Sequence, residues 1–277
     1  MIDIYCRYVR NSKTSKVTPY RGPEVWPQLF PQAAGERQSP VDIKTDEANS
    51  DTTLETRKLT ISYEEQSDLQ LLNTGQGWKV QAPQPDSSLE GGPLGDDIYK
   101  LEQFHCHWGP TCDEGSEHTV DGKAFAGELH LVHWNSSKYD SFAEAAQHPD
   151  GLAVLGVFLQ VSDNHSDSED EGDEHQRGFH PEMQKIADQL TEVRYNGQKT
   201  QLTASINPAR LLPESLGYWT YLGSLTTPPC SECVTWLVFK EHINVTEKQP
   251  AEERLVLKNY RPPQPLGNRS LRECNAA

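Results

Sequence analysis

The 277-residue chain has no long hydrophobic run. Its longest apolar stretch, Gly151 to Leu159, is far short of the roughly 20 residues a membrane helix needs. Met1 to Lys16 is polar and holds no apolar signal core. Positive charge is scarce: 25 Lys and Arg stand against 41 Asp and Glu, a formal net charge of −16. Phosphate backbones are held mainly by Lys and Arg, so nucleic acid is not expected as a partner. The six cysteines, Cys6, Cys106, Cys112, Cys230, Cys233 and Cys274, are too few for a disulfide framework in a chain that can bury a core. Cys230 and Cys233 form a lone Cys-x-x-Cys without the second pair or nearby His of a zinc finger. Cys274-Asn275-Ala276-Ala277 has the outline of a prenylation box but lacks its aliphatic residue and any upstream basic cluster. Sequons at Asn135, Asn164, Asn244 and Asn268 matter only in a secreted chain. These absences predict a soluble cytoplasmic protein that does not engage a membrane.

What is present is a pattern of short strand-like runs separated by Gly, Pro and Asn. Strands are expected at Leu69–Leu72, Trp78–Ala82, Tyr99–Trp108, Glu128–Trp134, Leu152–Val161, Tyr218–Tyr221 and Cys233–Lys240. Helical signals are fewer. Ser141–His148 is short, while Pro181–Val193 places Met183, Ile186, Ala187 and Leu190 on one face after a first-turn Pro. The expected class is α+β, sheet-dominated: a single domain, residues 22–277, with one mixed sheet and peripheral helices. Residues 1–21 read as an N-terminal arm. Residues 163–175 are dense in Asp and Glu and read as a solvated external insert loop. Weak cation binding is a possible role for it, without the spaced ligands and turn Gly of an EF-hand.

Two histidines stand two apart in Gln103-Phe104-His105-Cys106-His107-Trp108, so on a strand both leave the same face. Glu128-Leu129-His130-Leu131-Val132-His133-Trp134 puts Glu128, His130 and Val132 on one face and His133 on the other. A single buried histidine more often satisfies a core hydrogen bond than binds metal, and His133 keeps that reading. Together, His105, His107 and His130 supply three nitrogen ligands and leave a fourth tetrahedral position open on zinc. Gln103 and Glu128 precede two of them by two residues on the same faces, placed to accept from the second ring nitrogen.

The sequence closely resembles the α-class carbonic anhydrases, of the cytosolic, animal-like type, from about Gly22 onward. The stretches that carry the resemblance are Gly35 to Asp42, Gln103 to Gly109, Gly115 to Asp121, Glu128 to Asn135 and Gly223 to Cys230. The resemblance implies a large twisted, mainly antiparallel central sheet. It implies zinc as cofactor on His105, His107 and His130, with the Asn259 carbonyl orienting His107. It implies reversible hydration of carbon dioxide to bicarbonate and a proton by a zinc-bound hydroxide. Thr226 then resembles the residue that accepts the hydroxide proton while donating to a buried carboxylate, Glu117. Val132, Val154, Leu225, Val234 and Trp236, with Thr226 and Thr227, match the substrate wall. Sulfonamide-type and small-anion inhibitors are expected ligands on the same ground.

Three departures stand out. Ser15, Lys16 and Val17 replace an N-terminal Trp-Gly-Tyr, and after Ile243-Asn244-Val245 the chain reaches Asn259 about a dozen residues early. Gln76 stands where the family often carries a proton-shuttling histidine, so proton export is expected to be slow. Ala33 occupies the position where secreted relatives commonly carry the partner of a cysteine at Cys230, which again points to the cytoplasm.

Overall fold

A computed structural model describes residues 22–82, 87–161, 180–245 and 257–275. The expected arm at 1–21, with Val17, and the acidic insert at 163–175 lie outside the described residues.

The strand predictions become one 13-stranded sheet among the described residues. Its central path runs from Gln70–Asn73 through Trp78–Gln81, Tyr99–Trp108, Gly127–Asn135, Leu152–Val161 and Val234–Phe239 to Tyr218–Gly223. Most neighbours are antiparallel, but the sheet is mixed: Leu152–Val161 runs parallel to both Val234–Phe239 and Ile243–Val245. A parallel pairing needs a long crossover, and helix Pro181–Gln189 lies in the chain between those strands.

Alternation sorts the strand residues between two cores. Phe104, Cys106, Trp108, Leu129, Leu131 and Leu155 bury into one, and Val132, Val154, Phe158, Tyr221 and Trp236 into the other. Leu152–Val161 is buried along almost its whole length, as its unbroken apolar composition requires. Full burial of a large apolar side chain contributes roughly 1.5–3 kcal/mol, so Trp78, Trp108 and Trp236 anchor both layers.

The helix at 181–193 forms as α-helix over Pro181–Gln189 and tightens to 3-10 geometry at Leu190–Val193, burying Met183, Ile186, Ala187 and Leu190. Ser141–His148 yields a shorter helix, Phe142–Ala145, capped by the Ser141 side chain accepting from the Glu144 N–H. Among the described residues, no helix is long and apolar enough to cross a membrane.

Candidate metal centre

The sheet register builds the histidine cluster. His105 lies directly opposite His130 across the antiparallel pair, so their side chains leave the same face, and His107 follows two residues on. Ring centroids are 5.0 Å apart for His105 and His107, 5.3 Å for His105 and His130, and 4.7 Å for His107 and His130.

Each ring has one nitrogen held by an acceptor, and the Nε2 atoms of His105 and His107 lie 3.1 Å from each other. His105 Nδ1 lies 2.9 Å from Gln103 Oε1, His107 Nδ1 is 2.8 Å from the Asn259 carbonyl, and His130 Nε2 is 2.8 Å from Glu128 Oε1. All three partners are acceptors, so those nitrogens carry the protons. His105 Nε2, His107 Nε2 and His130 Nδ1 are left with lone pairs. One ligand atom from each ring lies within 4.8 Å of the others.

Burial is the largest influence on all three rings and lowers their pKa values, that of His107 to about 3. The neighbouring imidazoles push His105 down further. Neutral imidazole is the form that ligates a metal.

Glu117 is wholly buried, with Oε2 3.3 Å from His107 Nε2 and 3.9 Å from His130 Nδ1. That oxygen has no well-directed hydrogen-bond donor. Oε1 accepts from the Arg261 backbone N–H at 2.8 Å. Burial and the charge of Glu128 push the Glu117 pKa well up, opposed by the Thr226 side chain and Arg261. An unpaired buried carboxylate oxygen facing neutral imidazoles is an arrangement that a cation completes.

Glu128 differs. Burial would raise its pKa, but His118 and His130 overcome this by charge and hydrogen bonding and hold it well below the usual range. Its Oε1 meets His118 Nδ1 at 2.7 Å as well as His130, and its Oε2 accepts from the backbone N–H groups of Glu117 and His118 at 2.9 and 2.8 Å.

Sequence reasoning missed His118, which lies in a loop without periodicity and next to two acids in the fold. Its Nε2 is 2.6 Å from the Tyr221 hydroxyl, which lies 2.9 Å from Ser39 Oγ. His118, Glu128 and His130 also group donor atoms closely. Those atoms are joined to one another through Glu128 Oε1, which meets both rings.

Val154 is the register partner of both Val132 and Trp236, and all three are buried with Val234 on the histidine side of the sheet. The Trp236 ring lies 4.9 Å from His130, and its indole N–H donates to the Ser224 carbonyl at 3.1 Å, tying this wall to the segment that carries Leu225 and Thr226. Leu225 is half-buried and Thr226 buried, whereas Thr227 is exposed, its carbonyl accepting from the Cys230 N–H in a turn. The Gln76 side chain is exposed, while its carbonyl accepts from Asn259 Nδ2 at 3.1 Å.

Two relatives extend these observations. The chain is 44% identical over 265 residues to carbonic anhydrase 1 of Mus musculus, covering 91% of this chain and 94% of that protein. It is 45% identical over 262 residues to carbonic anhydrase 7 of Homo sapiens, covering 90% and 92%. The family profile of the eukaryotic-type carbonic anhydrases matches residues 21–275, and with it the whole histidine cluster and its supports; the chain belongs to that family.

Proposed function

We propose that this protein catalyses the reversible hydration of carbon dioxide to bicarbonate and a proton, with zinc held by His105 Nε2, His107 Nε2 and His130 Nδ1. The observation that carries the reading is the set of three neutral rings, each fixed through its second nitrogen, turned toward one space beside an unpaired Glu117 oxygen. Three nitrogen donors suit zinc and leave one tetrahedral position open. Zinc bound there supplies the Lewis acidity that makes water acidic near neutral pH, a property carbonic anhydrases themselves typify, and a positive charge that favours ionised Glu117.

The chain's own residues do the rest. In this reading the Thr226 hydroxyl, which lowers the Glu117 pKa, donates to Glu117, leaving only its lone pairs toward the cavity, and holds the attacking oxygen by accepting that oxygen's proton. Carbon dioxide has little to hydrogen-bond, and Val132, Val154, Leu225, Val234 and Trp236 offer it an apolar surface beside the histidines. The open metal position is also where sulfonamide-type and small-anion inhibitors bind in this reading. Gln76 does not titrate, so proton export to solvent depends on buffer.

The reading extends to a cytoplasmic location, supported by five free cysteines among the described residues and by Ala33 clustering with Cys230. Metal analysis with carbon dioxide hydration at equal protein concentration tests the function: one zinc per chain, with activity that tracks zinc content, is the expected result.

A further inference from the structure

Lys79 stands directly opposite His105 in the register between Trp78–Gln81 and Tyr99–Trp108. Residues directly opposite in an antiparallel pair share a face, with Cβ atoms about 4.5–5.5 Å apart. Lys79 therefore rises from the face that carries the histidine cluster, while Trp78 and Val80 bury on the other.

Lys79 sits on the strand beside His105, on the same face as the cluster. The side chain is half-buried, and among the described residues it forms no ion pair. Glu102 on the neighbouring strand feels it only through space, its pKa drawn down by Lys79 against a larger rise from burial. In a chain of net charge −16, a cation beside a metal ligand is not a background feature.

We propose that Lys79 is an anion-selecting residue of this site: its ammonium strengthens the hold on bicarbonate and other small monovalent anions and leaves attack on neutral carbon dioxide nearly untouched. The inference rests on the hydration reading above. Bicarbonate is charged when it leaves the metal and carbon dioxide is uncharged when it arrives, so a fixed positive charge on the wall distinguishes them.

The test compares wild type, Lys79→Gln and Lys79→Arg as zinc-loaded proteins. Thiocyanate affinity is read by equilibrium displacement of a fluorescent sulfonamide, with phenol as an uncharged competitor. Thiocyanate should weaken about three- to tenfold in Lys79→Gln, recover in Lys79→Arg, and lose its dependence on Lys79 in high salt. Phenol affinity and kcat/KM for carbon dioxide should stay within about twofold. Unchanged thiocyanate affinity in Lys79→Gln, or equal weakening of thiocyanate and phenol, overturns the proposal. Wild-type hydration measured in parallel keeps the two readings apart: its absence sinks the catalytic reading alone, and the thiocyanate comparison still decides about Lys79.

Discussion

His105 and His130 are directly paired across two antiparallel strands, their ring centroids 5.3 Å apart. Strand register therefore sets the spacing of the candidate ligands, and a slip of one residue would send His130 to the opposite face. Removing one ring should be severe and removing its support milder. His130→Ala is expected to lose zinc and hydration together. Gln103→Ala should keep the fold and weaken zinc roughly 10- to 100-fold. Metal content after dialysis against a graded chelator separates the two, and zinc retention by His130→Ala with full activity would refute the ligand set.

Thr226→Ala leaves every imidazole contact in place. It should bind zinc normally and hydrate carbon dioxide about 100-fold more slowly, because the attacking oxygen loses its orientation. Stopped-flow hydration on zinc-quantified protein is the check; equal rates in the two proteins would remove Thr226 from the mechanism.

Gly156 lies opposite His130, and a Cβ there would sit 3.1 Å from Glu128 Oε1 and 3.5 Å from Val238. Gly156→Val should push Glu128 away from His118 and His130, weakening zinc at least ~10-fold and lowering stability by about 1–3 kcal/mol. Gly156→Ala should lie between. Zinc titration and urea unfolding of the apoprotein measure the two effects, and a zinc affinity equal to wild type would show that Glu128 has room to move.

His133 lies on the other side of its strand, its ring 2.6 Å from the Tyr63 hydroxyl and 3.2 Å from the Ala153 carbonyl. Burial lowers its pKa from 6.5 to about 4. The unfolded chain therefore binds one more proton than the folded one between those values. The stability from neutral His133 is whole above pH 6.5 and is lost as pH falls toward 4, by up to about 3 kcal/mol. Urea unfolding of the apoprotein across this range should show that slope, and His133→Gln should flatten it by about one proton. An identical slope in the variant would assign the acid sensitivity elsewhere.

Gln76 has an exposed side chain that cannot carry a proton. At saturating carbon dioxide, kcat should rise with added imidazole-type buffer, and Gln76→His should raise it at low buffer while kcat/KM changes little. A kcat indifferent to both would point to a different proton route.

Much of this architecture was legible because it follows from local periodicity. The unbroken apolar run Leu152–Val161 and the alternation in Tyr99–Trp108 declare buried strands, and alternation alone puts His105 and His107 on one face. The parallel pairing of Leu152–Val161 with two later strands was not readable, since no local pattern encodes which distant strand lies alongside. His118 escaped for the same reason. Its role depends on Glu128 from the next strand and Tyr221 from a far one, and although Gly115–Asp121 carries part of the resemblance, no local periodicity there gives His118 a role.

Asn259 ties the histidine strand to the Gln76 turn: its carbonyl accepts from His107 Nδ1, its Oδ1 from the Trp108 N–H, and its Nδ2 donates to the carbonyls of Gln76 and Cys106. Two residues later, the Arg261 N–H holds Glu117. The three histidines are therefore synthesised long before the groups that fix His107 and Glu117, and a chain cut short of Asn259 would carry all three rings with His107 and Glu117 unheld.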